Sequence, residues 1–220
     1  MFTGIVEHVG TIETLELKRD GGRVTIEALS VVGDLGKSDS IAVNGCCLTV
    51  VEADNYRFSA DLSGETIRKT TFGVEGTLKK GTLVNLEGAM TPLKELGGHF
   101  VLGHVDTVGR VIYLAPEGDN WRFGVEVPQD FARYIVPEGS ITIDGISLTI
   151  ARWDNRARIA EVAIIPYTYG HTNLRDRKPG DGVNLEGDVI GKYVERYLEA
   201  RHETSSASSI TLSRLIEEGF

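Results

Sequence analysis

Two side chains in this sequence are placed to do related chemistry twice. Cys47 lies in Asn44-Gly45-Cys46-Cys47-Leu48-Thr49-Val50, and Ser147 lies one hundred positions later in Asp144-Gly145-Ile146-Ser147-Leu148-Thr149-Ile150. A thiol and a hydroxyl are both nucleophiles and hydrogen-bonding groups. Singly, a free Cys or a lone Ser is more often a small packing residue, and the repetition weighs against that plain reading. On a strand, residues two apart share a face, so Thr49 joins Cys47 and Thr149 joins Ser147, giving each copy a polar pair aimed one way. Such a pair, if buried, needs hydrogen-bond partners that a ligand would supply.

The histidines separate the two copies. His104, in Gly103-His104-Val105, stands where the first copy has Ile5 in Gly4-Ile5-Val6, so a titratable ring replaces an aliphatic side chain at a doubled position. His99 follows the glycine pair Gly97-Gly98 and is either a turn residue or a site residue, while His8, His171 and His202 read as surface or local structure. Asp188, just beyond Asn184-Leu185-Glu186-Gly187, is a candidate partner for a ligand hydroxyl or a histidine, whereas Glu87 and Glu186 read as strand ends. The adjacent Cys46 and Cys47 point to opposite faces and make no disulfide framework. Without a spaced Cys/His set, no metal site is expected.

The elements that must hold these residues are themselves doubled. Residues 4–12 (Gly4-Ile5-Val6-Glu7-His8-Val9-Gly10-Thr11-Ile12) match residues 103–111, keeping both glycines and both valines, and Gly81-Thr82-Leu83-Val84-Asn85-Leu86-Glu87-Gly88 matches residues 180–187 at six of eight positions. Asp61-Leu62-Ser63-Gly64-Glu65-Thr66 falls opposite Ala163-Ile164-Ile165-Pro166-Tyr167-Thr168, with the offset drifted by two. Four matches in one order imply duplication. Each half carries alternating β-rich runs between Gly, Asp and Asn turns, which predicts an all-β chain of two small barrels, over residues 1–97 and 98–190. Ser63 caps a short helix, Pro128 starts another through Phe131-Ala132-Arg133-Tyr134, and the Thr66 and Thr168 segments offer N–H groups near helix starts. Lys192 to Glu203 places Tyr193, Val194, Tyr197 and Leu198 on one stripe, predicting an amphipathic helix over 191–203 and a mobile tail over 204–220, with a Ser-rich hinge at 204–209.

The formal net charge of −9, with 32 acidic and 23 basic residues, argues against a nucleic-acid groove. An oligonucleotide-binding barrel pair would need a basic aromatic face, which the composition lacks. No apolar run approaches the ~20 residues of a membrane span, and no export signal is apparent, so a cytoplasmic protein with a small-molecule ligand is expected.

Taken together, Met1-Phe2-Thr3-Gly4-Ile5-Val6, the two Asx-Gly stretches, Gly97-Gly98-His99 and Gly103-His104-Val105 resemble the α-chain riboflavin synthase family, built from lumazine-binding repeats, over about residues 1–200. The resemblance implies two six-stranded Greek-key barrels, each binding one 6,7-dimethyl-8-ribityllumazine, and a homotrimer held by the C-terminal helix. It implies a dismutation in which four carbons pass between two lumazines, giving riboflavin and 5-amino-6-ribitylaminouracil without metal or redox cofactor. Two identical substrates need two similar sites, and donor and acceptor roles need those sites to differ. The substrate-binding residues carried over are Gly4, Ile5, Val6, Cys47, Leu48, Thr49, Asp61, Leu62, Ser63, Gly64, Glu65 and Thr66 for the first barrel. For the second they are Gly103, His104, Val105, Ser147, Leu148, Thr149, Ala163, Ile164, Ile165, Pro166, Tyr167 and Thr168, with Phe2 covering the site. The first barrel of one subunit is expected to face the second barrel of a neighbour. In the reaction, proton loss from the C7 methyl of one lumazine is assigned to His104 assisted by Thr149, and addition at C7 of the other to Ser147, Cys47 or a water. Tyr167 stands where the family usually has an acid, and Glu138 where a basic residue is expected, which bears on the ribityl contacts. The competing reading is a non-catalytic lumazine or flavin carrier of the same fold. In such carriers the second barrel has lost its ligand residues, whereas Ser147, Thr149 and His104 are present here, which favours the enzyme.

Overall fold

The structure is a computed structural model that describes residues 1–28, 35–207 and 216. Its strands close into two six-stranded antiparallel barrels. The first holds β1 (His8–Lys18), β2 (Gly21–Glu27), β3 (Ser40–Val43), β4 (Cys46–Ala53), β5 (Arg57–Ser63) and β6 (Leu83–Gly88), in the order β1-β2-β5-β4-β3-β6. A short helix, α1 (Gly64–Lys69), follows β5. The second barrel repeats the circuit with β7 (Thr107–Glu117), β8 (Asn120–Glu126), β9 (Ser140–Ile143), β10 (Ile146–Asp154), β11 (Ile159–Ile164) and β12 (Gly182–Gly187), and α2 (Pro166–Gly170) follows β11. Even the bulges recur, between Val50 and Glu52 on β4 and between Ile150 and Arg152 on β10.

The alternation of each strand decides what faces inward. On β4, Cys46, Leu48 and Val50 are buried, which turns Cys47 and Thr49 out; on β10, Ile146 and Ile150 are buried and Ser147 and Thr149 face out. Each barrel has a mainly aliphatic core that includes buried phenylalanines, Phe58 and Phe72 in the first and Phe123 and Phe131 in the second. Each such side chain contributes about 1.5–3 kcal/mol by leaving water. Both hairpins that carry the reactive strands turn through two left-handed residues, Asn44 (φ 45) with Gly45 (φ 75) and Asp144 (φ 46) with Gly145 (φ 79), the geometry that two-residue hairpins favour. The two turn tips abut. A Cβ on Gly45 would lie 2.7 Å from the Gly145 nitrogen, so glycine here is also required by close approach.

Around that contact lies a buried polar layer joining the halves. Asn85 Nδ2 donates to the Asp144 carbonyl (2.9 Å) and Asn184 Nδ2 to the Asn44 carbonyl (2.8 Å), a reciprocal pair. Asn173 bridges Asn44 and Asp144, and Arg177 forms an ion pair with the buried Asp144 carboxylate. Along the sequence Asn85 and Asn184 are simply matched positions of the two repeats; in the structure they fasten one barrel to the other. Both barrels accordingly fall in one compact unit, Met1–Asp188, and the C-terminal segment Val189–Phe220 forms a second.

Local expectations fare unevenly. Ser63 caps α1, accepting from the Thr66 N–H at 3.0 Å. The stretch after Pro128 makes only a 3-10 turn, Ala132–Tyr134, whose cap Phe131 supplies no side-chain hydrogen bond. The C-terminal helix α3 (Val189–Ala207) begins earlier and ends later than its sequence stripe, so the expected Ser-rich hinge starts within helix; the rest of the tail, apart from residue 216, lies outside the described residues. Tyr193, Val194, Tyr197 and Leu198 are all exposed along α3. Among the described residues no helix is long and apolar enough to cross a membrane, and no group of three or more His, Cys, Asp or Glu could hold a metal ion.

Candidate active site

The glycine segments that open the two halves are exchanged between barrels. The Ser147 N–H donates to the Gly4 carbonyl at 2.7 Å, and the Cys47 N–H donates to the Gly103 carbonyl at 2.8 Å. Gly4-Ile5-Val6 therefore edges the second barrel and Gly103-His104-Val105 the first, the reverse of the grouping expected from sequence order. Packing agrees, since Val105 joins the first barrel's core and Val6 packs on the second's. Two buried carboxylates hold the exchange. Glu87, at the end of β6, accepts from the Thr3 N–H (2.7 Å), the Thr3 hydroxyl (2.7 Å) and the Gly4 N–H (2.9 Å). Glu186, at the end of β12, accepts from the Leu102 N–H (2.7 Å) and the Gly103 N–H (3.0 Å). A sequence reader sees two matching strand ends; the signal for a further role was that both end in Glu-Gly.

Lys94 secures one side of this scaffold, reaching Glu7 (2.7 Å) and Glu87 (3.3 Å). Burial works against its charge, but these two carboxylates outweigh that and hold its pKa above the ordinary lysine value. Phe2 is fully buried, bridged to Val101 and packed with Ala42 and Cys47, so it is a plug behind the Cys47 face rather than a cover over a site.

His104 is exposed, and its place beside Gly103 puts it on the Cys47 face. Thr149, two residues beyond Ser147, belongs to the other barrel's face. Within one chain, then, His104 and Thr149 do not share a face. Thr49 and Thr149 are exposed rather than buried, so neither needs a ligand to offset desolvation. The reason is strand alternation combined with an open barrel exterior: the paired face is the outside of each barrel.

The residue that sequence reading left undecided is the one bonded to Ser147. His99 Nδ1 lies 2.7 Å from Ser147 Oγ, and His99 Nε2 lies 3.1 Å from Thr142 Oγ1. The His99 N–H donates to the Thr3 carbonyl at 3.1 Å, tying the inter-barrel segment to the exchanged N-terminal one. Gly98 backs directly onto this group, because a Cβ there would lie 2.8 Å from Ser147 Cβ. Burial pushes the His99 imidazole below its ordinary pKa, against the opposing pull of the Asp188 carboxylate. The charge of Asp188 thus bears on His99.

The remaining expected ligand segments flank these faces at unequal chemistry. Asp61 pairs with Arg23 at 2.7 Å, while its counterpart Ala163 carries no charge, and Arg122 pairs instead with Glu161. Leu62 and Ile164 point into their cores, and Ile165 is an exposed cap without a side-chain bond, where the first barrel has Ser63. Glu65 is held by Arg68 and Lys69 on α1, whereas Tyr167 stacks on His171 at 4.0 Å. Glu138 is exposed with φ 63 in the turn before β9. A cleft of about 780 Å³ runs along Glu16, Lys18, Arg19, Arg23, Asp61 and Leu62, and another of about 460 Å³ is lined by Glu13, Arg23, Glu52, Asp54 and Arg57. Neither contains Cys47, Ser147 or His99.

The two cysteines differ sharply. Burial, with smaller contributions from Cys47 and Glu186, pushes the Cys46 thiol up to about 12, while Cys47 is half-buried on the outer face. Alkylation of the folded protein at about pH 8 is expected to modify Cys47 and spare Cys46. Peptide mass spectrometry checks this, and label on Cys46 would contradict the strand's orientation.

The lumazine binding domain family matches residues 3–89 and again residues 102–188. A riboflavin synthase of Actinobacillus pleuropneumoniae is 40% identical over 220 residues, covering the whole of both chains. A riboflavin synthase of Mycobacterium bovis is 44% identical over 203 residues, 91% of this chain and 99% of that one. Among solved structures, LumP complexed with riboflavin is similar at TM-score 0.78 and 29% identity, covering 85% of this chain and 99% of that one. LumP complexed with 6,7-dimethyl-8-(1'-D-ribityl) lumazine is similar at TM-score 0.75 and 28% identity, covering 84% and 98%. With both barrels matched, and 40–44% identity over nearly the whole chain, the chain belongs to the riboflavin synthase family, transferases built from two lumazine-binding domains.

Proposed function

We propose that the Cys47 face and the Ser147 face each seat one 6,7-dimethyl-8-ribityllumazine, and that the riboflavin synthase reaction runs between the two. One lumazine gives up four carbons and leaves as 5-amino-6-ribitylaminouracil; the other receives them and leaves as riboflavin. The observation that carries this reading is a pair of faces alike in backbone and unlike in side chain, Cys47 with Gly103 against Ser147 with Gly4 and His99. Matching backbones suit identical substrates, and unlike side chains suit different roles. The ligand segments are residues 47–49, 61–66 and 103–105 for the first barrel, and residues 147–149, 163–168 and 4–6 for the second.

The faces meet across a boundary between copies, first barrel of one against second barrel of another, within a homotrimer whose contacts include the stripe on α3. Two features support this. Each face is open, with Thr49, Thr149 and His104 all exposed. His104 and Thr149, which together suit proton removal from the C7 methyl of the donor lumazine, lie on different faces of one chain. Holding two flat rings together in one orientation removes much of the entropic barrier to their bimolecular reaction. The enzyme works in the cytoplasm and uses no metal or redox cofactor in this scheme.

Mixing the purified protein with the lumazine tests the proposal. Riboflavin absorbance should grow as two lumazines disappear per riboflavin formed. Tight binding with no riboflavin would instead make the chain a carrier, the reading to which similarity with ligand-bound LumP lends some weight.

A further inference from the structure

We infer that Ser147 is the nucleophile that adds to C7 of the acceptor lumazine, and that His99, oriented by Thr142, takes the Ser147 proton. The inference rests on the riboflavin synthase reading and deepens it by choosing among Ser147, Cys47 and water. A neutral imidazole offers one N–H and one lone pair, and its neighbours decide which nitrogen carries which. Thr142 Oγ1, buried on β9, lies 3.1 Å from Nε2 and is positioned to accept Nε2–H. That leaves the Nδ1 lone pair facing the Ser147 hydroxyl at 2.7 Å, within reach for a base to act on a nucleophile. The residue has little freedom, because its backbone N–H donates to the Thr3 carbonyl, its two ring nitrogens face Ser147 and Thr142, and Gly98 packs against Ser147. The Cys47 face is different. Among the described residues Cys47 makes no side-chain hydrogen bond, and the exposed His104 on that face makes none either.

The step balances without another reactant. A lone pair of Ser147 Oγ forms the bond to C7, the π pair displaced from C7 moves into the pteridine ring, and the hydroxyl proton passes to His99 Nδ1. When the four-carbon transfer is complete, the carbon–oxygen bond breaks and the proton returns to Oγ. The surroundings of His99 fit both states. Burial favours the neutral form of the resting imidazole, and the Asp188 carboxylate, which opposes that effect, favours the imidazolium once formed. Its hydrogen-bonding neighbours Thr3, Thr142 and Ser147 are uncharged.

The experiment uses the full chain. Wild-type protein is assayed first, and binding without riboflavin formation would overturn the functional reading before any variant is considered. With wild type active, His99→Gln should lower kcat by about 10²–10³-fold with little change in lumazine affinity measured by fluorescence titration. The acid limb of its pH profile should disappear, since that limb in wild type reports protonation of His99 as pH falls. Ser147→Ala should lose kcat by a similar factor. The double variant should be no slower than Ser147→Ala alone, because groups that act as one unit are not additive. An unchanged kcat in His99→Gln, or fully additive losses, would overturn the inference. If His99→Gln does not fold, Thr142→Val decides: a shifted acid limb supports the assignment, and an unmoved pH profile refutes it.

Discussion

Gly4→Ala is expected to cost about a hundredfold in riboflavin formation while leaving the Cys47 face intact. Gly4 has φ +75, a conformation that costs an L-residue about 1–2 kcal/mol. Its Cβ would also lie 2.6 Å from Ser147 Cβ and 2.9 Å from the Ser147 nitrogen. Since backbone on one side and β10 on the other must part, the 2.7 Å bond between them lengthens and Ser147 moves relative to His99. Gly103→Ala is the mirror experiment. Its Cβ would meet Cys47 Cβ at 2.6 Å and Phe2 at 2.8 Å, so the disturbance falls on the first barrel. Rates of Cys47 alkylation distinguish the two: Gly103→Ala should change them and Gly4→Ala should not. The opposite pattern would mean that each glycine segment stays with its own barrel.

Glu87→Ala should give the largest loss of stability. Glu87 is 4% exposed and accepts three hydrogen bonds from Thr3 and Gly4, with Lys94 as a fourth partner. Truncation leaves Thr3, itself 1% exposed, with buried donors that water cannot reach. Breaking a buried ion pair from one side costs about 3–5 kcal/mol. For a chain of this size that corresponds to a fall in melting temperature of about 6–20 °C. Activity should fall further than stability accounts for, because the segment that Glu87 holds carries Gly4 to Ser147. Thermal unfolding and turnover, measured on the same preparation below its melting point, check both parts. Melting at the wild-type temperature would show that the N-terminal exchange is held by something other than this carboxylate.

Much of the architecture was legible because duplication is a property of the chain itself. The Asn44-Gly45 and Asp144-Gly145 turns announce tight hairpins, since glycine and Asx tolerate left-handed backbone, and the structure has both. Alternation placed Cys47 with Thr49 and Ser147 with Thr149 correctly. It did not say whether that shared face was the inside or the outside of the barrel; the structure puts it outside, with Thr49 and Thr149 exposed. Pro128 marked a turn start but not a helix, because the residues after it make a 3-10 turn in which only short-range bonds form.

What the sequence alone determined is the repeat, the two barrels, the matched Cys47 and Ser147 strands and the family. Those depend on local turn chemistry, side-chain period and residue identity, all of which are read along the chain. Which segment serves which barrel was decided only in three dimensions. Gly4 and Gly103 sit at equal offsets in equal halves, and no local preference distinguishes pairing with their own barrel from pairing with the other. The choice is made by Glu87 and Glu186, which hold each segment at the end of one barrel while its carbonyl meets the other, and by the abutting Gly45 and Gly145 turns that bring the halves together. The partnership of His99 with Ser147 follows from the same crossing, since it joins residues that are neighbours only once the inter-barrel segment lies against β10.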